Sequence, residues 1–381
     1  MNTVILLQPP RIVFGNGCAP QCVEYLAQRN VKRLFLVTSR SVRTQIKSIE
    51  EALKQAGIEI FQSPLVPPEP TVEFFELALA EAQKKQIDSV LGIGGGSVMD
   101  VAKLVAALAC ASQKVGEVFG INLLAKRELA LVCLPTTAGT GAEVSPNAIL
   151  LDEADRLKKG VVSPHLVPDA AYVDPLLTLS VPPAVTAATG LDALTHCIEA
   201  YANKFAHPVV DVYALQGIKL ISENLRRAVR NGGDIEARAA MALGSLYGGL
   251  CLGPVNTAAV HALAYPLGGQ FHISHGVSNA LLLPHVLHFN CSAAPERYAA
   301  ISTALGVGYN GPALAIAERG VDFLSQLSRD CGVPQKLSEL NVPREAIPGM
   351  ARSAMRVTRL LKNNLRPLTE EHAECIYEAA Y

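Results

Sequence analysis

The sequence predicts an α/β domain followed by an all-helical one, and three observations carry that expectation. Short β-rich runs alternate with helical patterns from residue 11 to about 177. Beyond about 178 strand signatures nearly vanish and helix-like periodicity takes over. At 381 residues the chain is also too long for one ordinary core, so two domains are the default.

In chain order, RLFLVTS (33–39) reads as a strand, and SVRTQIKSIEEALKQAG (41–57) as a helix stopped by Gly57. IEIFQSP (58–64) is a second strand, followed by the Pro-punctuated loop PLVPPEP and a helix over 71–86. DSVLGIGGG (88–96) is a strand, SVMDVAKLVAALACA a helix, and LALVCLPTT (129–137) another strand. Strand–helix alternation at this period predicts a parallel sheet covered on both faces. Further helices are read in PAVTAATGLDALTHCIEAYAN, PVVDVYALQGIKLISENLRRAVRN, IEARAAMALGSLYGGLCLG, AAPERYAAISTALG and TEEHAECIYEAAY. The boundary is placed at DPLLTLSVPP, which makes the two domains 1–177 and 178–381.

Half of the residues are apolar and 18% are charged, which implies large buried surfaces, a subunit interface among them. A formal net charge of −1 recruits neither nucleic acid nor an anionic membrane. The longest apolar runs, such as LVAALACA at 104–111, are too short for a membrane span, and the start lacks the basic region of a signal peptide. Nine cysteines, with no CxxC pair, read as reduced core residues and place the protein in the cytoplasm.

GIGGGSVMD (92–100) lies where a strand turns into a helix. Successive glycines allow close backbone approach, and a helix N-terminus offers free N–H groups for a pyrophosphate. Ser97 and Asp100 are spaced as a capping pair, so a plain Gly-rich turn accounts for the same residues. The stretch is not GxGxxG, because Ser97 takes the place of the third glycine. LPTTAGTGAEVS (134–145) also follows a strand and offers the hydroxyls of Thr136, Thr137, Thr140 and Ser145. Two such loops at strand ends predict a Rossmann-like, dinucleotide-binding domain. After the 33–39 strand, Ser39, Arg40 and Arg43 stand without an acid. A small hydroxyl beside arginine suits a 2′-phosphate and favours NADP over NAD, although solvated helix-start arginines read the same way.

In the helical half, Asp192 and His196 are four apart and share one helix face. His261 and His275 lie in VHALAYPLGGQFHISHG, where Pro266, Gly268 and Gly269 are expected to break the helix and turn both imidazoles inward. One carboxylate and three imidazoles suit Fe²⁺ or Zn²⁺, whereas capping residues account for the spacing without a metal.

The order of these pieces resembles the iron-dependent (group III) alcohol dehydrogenase family. Its landmarks match GGGSVMDVAK (94–103), PTTAGTGAEVS (135–145), KKGVVSPHLVPDAAYVDP (158–175), GLDALTHCIEAY (190–201) and HALAYPLGGQFHISHGVSNALLLPHV (261–286), almost the whole length. The resemblance implies a nucleotide-binding α/β domain, a helical metal-binding domain, and usually a dimer. Carried over by residue, it implies metal ligands at Asp192, His196, His261 and His275. It implies nucleotide contacts at Gly95, Gly96, Ser97, Asp100, Thr136, Thr137, Thr140 and a lysine at or beside Lys158, and it maps an NAD-preferring Asp onto Ser39. Many members carry a histidine where Tyr265 stands, so Tyr265, with the extra imidazole of His272, becomes the candidate for proton handling. The implied reaction is reversible hydride transfer between an alcohol and its aldehyde or ketone and NAD(P)(H). A maleylacetate-reductase-like reduction and a dehydroquinate-synthase-like lyase reaction are its rivals.

Overall fold

A computed structural model describes residues 3–155 and 157–381. The chain divides into two compact units: Leu7–Thr137 with Gly141–Ser180, and Val181–Tyr381 joined by Ala138–Thr140 and a short amino-terminal stretch.

The first unit runs β1 (Arg11–Phe14), α1 (Gln21–Gln28), β2 (Arg33–Thr38), α2 (Lys47–Gln55), β3 (Glu59–Gln62), α3 (Val72–Lys84) and β4 (Ser89–Gly94). It continues with α4 (Gly96–Leu108), α5 (Val115–Val118), β5 (Gly120–Ile121), β6 (Ala130–Pro135), β7 (Asn147–Asp152), β8 (Leu157–Val162) and β9 (Ala170–Val173). Six strands form a parallel sheet in the order β1-β9-β6-β4-β2-β3. Period-two alternation decides its two faces. Leu34 and Leu36 join a core with Leu26, Ile49 and Leu53 from α1 and α2, whereas Phe35 and Val37 join Phe75, Val101 and Val105 from α3 and α4. Both faces are therefore covered, and the strands read as continuous apolar runs for that reason.

The expected parallel sheet is present, and a small second sheet lies outside it. A second, three-stranded sheet, β5-β8-β7, pairs β7 with β8 antiparallel. Asp152 closes this hairpin by accepting the N–H groups of Ala154 and Asp155, a local turn that lets the chain fold straight back. The helix expected over 41–57 also starts late, at Lys47, because main-chain bonds from Val42 to Ser39 and from Gln45 to Val42 close tight turns first. All nine cysteines are free, but Cys110 and Cys375 are exposed rather than core residues.

The second unit holds α6 (Pro183–Tyr201), α7 (Pro208–Arg230), α8 (Ile235–Leu252), α9 (Ala259–Phe271) and α10 (His275–Cys291). It ends with α11 (Pro295–Ala304), α12 (Ala313–Asp330), α13 (Ile347–Met355), α14 (Thr358–Leu361) and α15 (Glu370–Ala379). α6 is buried almost all round, which explains its lack of a polar face. The predicted break at Pro266 is not there: α9 continues through Pro266, Gly268 and Gly269, all buried. Tertiary packing outweighs the lost N–H and the poor propensity of glycine. The helix stops instead at His272, in left-handed conformation (φ 54°), with main-chain bonds back to Gly268 and Leu267. Among the described residues no helix is long and apolar enough to cross a membrane.

Candidate active site

Three helices of the second unit converge on one point. α6 contributes Asp192 and His196, a full turn apart on a single face; α9 contributes His261; and α10 contributes His275, its first residue. The approach of α10 to α6 is set at Gly276, where a Cβ would lie 2.5 Å from the Ala188 carbonyl oxygen. One donor atom from each of the four side chains lies within 4.8 Å of all the others. Asp192 Oδ1 is 3.9 Å from His196 Nε2, and 3.6 Å from both His261 Nε2 and His275 Nε2. Four ligands held tetrahedrally at first-row metal bond lengths would be separated by about 3.4 Å. Small adjustments of side chains would therefore seat a divalent cation, and the nitrogen-rich, sulfur-free donor set fits such an ion.

The surroundings are organised, with Asp192, His196 and His261 buried and His275 partly exposed. His196 Nδ1 lies 3.3 Å from the Gly139 carbonyl oxygen, and the His196 and His261 rings stack at 4.7 Å. His261 Nδ1 lies 2.6 Å from Glu199 Oε2. Asn279 donates from Nδ2 to Asp192 Oδ1 at 2.7 Å, and the same nitrogen lies 3.1 and 3.2 Å from the Nε2 atoms of His261 and His275. Its own Oδ1 is buried without a partner, an orphaned polar atom at the heart of the cluster. Burial alone would raise the Asp192 carboxyl, but the imidazoles of His196, His275 and His261 outweigh it and hold it well below the usual carboxylate range. Burial lowers His196. At His261 burial is outweighed by Glu199 and Asp192, which push the ring up to about 9.

Tyr265 is buried one turn beyond His261, its ring 6.4 Å from that of His275 and its hydroxyl 3.5 Å from Arg359 Nη2. His272 is the exposed cap residue of α9 described above, a placement fixed by chain reversal.

In the first unit Ser39, Gly95, Gly96, Ser97, Thr136 and Thr137 follow the carboxyl ends of the adjacent strands β2, β4 and β6, whereas Asp100 lies inside α4, Ser145 precedes β7 and Lys158 lies in β8. Consecutive connections from β2 lead to opposite sides of the sheet here, which is where open α/β sheets hold ligands. The expected capping pair is not formed: Gly95, not Ser97, is the N-cap of α4, and Ser97 Oγ donates to the Pro68 carbonyl at 2.5 Å. Extended backbone at Gly95 lets the helix begin two residues earlier than the serine would. Gly94 is required for packing, since a Cβ there would meet Val98 Cγ2 at 2.5 Å, while Gly95 faces Thr137. Thr136 bonds through its N–H to the Gly94 carbonyl, joining the two loops.

Other candidates already have partners. Ser145 accepts Lys103 Nζ through its carbonyl at 2.7 Å, with its hydroxyl at 3.3 Å. Lys158 pairs with Glu69 at 2.7 Å, and Arg43 with Glu50 at 2.7 Å. Ser39 Oγ lies 3.1 Å from Ser41 Oγ, and Arg40 is exposed beside it. Burial pushes the Asp100 carboxyl up to about 7 against the pull of Lys103, the Ile149 N–H and Lys158. Thr140 belongs to the helical unit, not to the sheet.

Sequence reasoning missed Glu199, Asn279 and Arg359. Glu199 continues the Asp192–His196 face one turn further and Asn279 is four residues after His275, so helical spacing held both signals. Arg359 is distant in sequence, and no local pattern marks it.

Two sequence profiles span this architecture. Residues 9–175 match Iron-containing alcohol dehydrogenase, and residues 186–381 match the Fe-containing alcohol dehydrogenase family, C-terminal. The chain is 40% identical to long-chain-alcohol dehydrogenase 1 of Geobacillus thermodenitrificans, covering 100% of this chain and 98% of that one. It is 36% identical to the 1,3-propanediol dehydrogenase of Klebsiella pneumoniae, covering 96% and 97% respectively. The crystal structure of a 1,3-propanediol oxidoreductase superposes with a TM-score of 0.96 at 35% identity over 100% of both chains. An alcohol dehydrogenase from Oenococcus oeni superposes equally well, at 0.96 and 30% identity over 100% of both chains. With matched profiles, full-length relatives and a buried Asp–His₃ cluster in agreement, the chain belongs to the iron-containing alcohol dehydrogenase family.

Proposed function

We propose that this protein interconverts an alcohol and its aldehyde or ketone by hydride transfer with NAD(P)(H), and that Asp192, His196, His261 and His275 hold a divalent metal, Fe²⁺ or Zn²⁺. The convergence of those four side chains within 4.8 Å carries the reading. When bound, the metal supplies Lewis acidity toward the substrate oxygen, and the nicotinamide supplies or accepts the hydride.

The chain's own residues arrange the rest. The Tyr265 hydroxyl, 3.5 Å from Arg359 Nη2, is the candidate to donate or accept a proton, and His272 is a more peripheral one. The free N–H groups of Gly96 and Ser97 at the start of α4, with Gly95, Thr136, Thr137 and Thr140, are assigned to the nucleotide, and Asp100, Ser145 and Lys158 support those loops. Ser39 with exposed Arg40 supports NADP over NAD. Free cysteines support a cytoplasmic setting, and the apolar composition supports a homodimer or larger homo-oligomer.

The test is an anaerobic assay of nicotinamide absorbance over a panel of alcohols and aldehydes, with NADH and NADPH and with Fe²⁺ or Zn²⁺ restored. Asp192→Ala and His261→Ala are expected to lose bound metal and turnover together. Either variant retaining full metal content and full activity would overturn the reading.

A further inference from the structure

We propose that Glu199 is a positioning residue for the metal, and that it acts by fixing the His261 ring and the start of the helix that carries it. The proposal rests on the metal assignment above and concerns a residue outside the candidate ligand set.

Glu199 is 4% exposed in the last turn of α6, where a carboxylate is costly unless both oxygens are satisfied. Both are. Oε1 accepts the Val260 N–H at 2.6 Å, one of the unpaired donors in the first turn of α9, and Oε2 lies 2.6 Å from His261 Nδ1. An imidazole that donates Nδ1–H to a carboxylate presents an unprotonated Nε2, and His261 Nε2 is the atom that faces Asp192, 3.6 Å away. One side chain thus sets the start of the helix that carries His261, the rotation of the ring, and the tautomer able to bind a cation.

The test uses the full-length chain stripped of metal, with Zn²⁺ affinity measured by chelator competition and the geometry read from the visible spectrum of the Co²⁺ form. Glu199→Gln keeps the shape and removes the charge; Glu199→Ala removes the contact as well. Both are expected to bind Zn²⁺ about 10–100-fold more weakly and to alter the Co²⁺ bands. If Glu199 only caps α9, the metal-free melting temperature falls while Zn²⁺ affinity and the Co²⁺ spectrum stay at the parent values, and the proposal is overturned. Should Glu199→Ala fail to fold, Glu199→Gln decides alone. An Asp192→Ala protein that binds Zn²⁺ as tightly as the parent would overturn the metal assignment and this inference together. Loss of binding in Asp192→Ala with parent-like Glu199 variants overturns the inference only.

Discussion

At the scale of single residues, Tyr265 is the candidate proton-handling group, buried one turn beyond His261. A free phenol is a weak base near neutral pH, so its use in proton transfer depends on its neighbours. Here the hydroxyl has Arg359 at 3.5 Å and the ring stands 6.4 Å from His275. Tyr265→Phe is therefore expected to lower kcat by about 100-fold with metal content unchanged, measured by steady-state kinetics on a protein of known metal loading. A kcat within a factor of about two of the parent would confine Tyr265 to packing against Ala262 and Leu360.

At the scale of elements, the site depends on how closely two helices approach. The missing side chain of Gly276 lets α10 lie against the Ala188 carbonyl, and that contact brings His275 to Asp192. Gly276→Ala forces α10 outward because the obstructing atom is backbone and has no rotamer to change. The expected cost is about 1–3 kcal/mol in chemical denaturation, accompanied by weaker Zn²⁺ binding. Undiminished affinity would show that the ligand geometry tolerates a displaced helix. α9 makes a related point: Pro266 and two glycines are carried inside a helix because the surrounding core stabilises it more than propensity opposes it.

At the scale of the whole molecule, the two units respond to different variables. The candidate ligands all belong to the helical unit, so saturating metal is expected to stabilise that unit, by about 4 kcal/mol when free Zn²⁺ is a thousandfold above Kd. Calorimetry of metal-free and metal-loaded protein checks this; a transition unmoved by metal would contradict it. The α/β unit carries a pH dependence of its own. Burial pushes the Glu143 carboxyl up to about 7 from an ordinary 4.5, against its own backbone contact and Lys103. A native pKa above the unfolded one means the contribution is fully present below about 4.5 and is lost as pH rises through about 7. Glu143→Gln is therefore expected to flatten the fall in stability across that window, by up to roughly 3 kcal/mol, in urea titrations at its two ends. Equal slopes for variant and parent would exclude Glu143 as the source.

Local sequence determined a good deal of this protein. The continuous apolar runs in 33–38 and 89–94 are enough to place strands buried on both faces, and the Asp192–His196 spacing is enough to put both side chains on one helix face, because these relations span only a turn or two of backbone. Tertiary structure decided the rest. It kept α9 intact through Pro266, moved the reversal to His272, shifted the N-cap from Ser97 to Gly95, and added the antiparallel β7–β8 pair. It also brought Glu199 and Asn279 against imidazoles 62 and 4–18 residues away in sequence. Which groups share a buried volume depends on how helices pack around a common core, and that packing energy is collective, so no short window of sequence contains it.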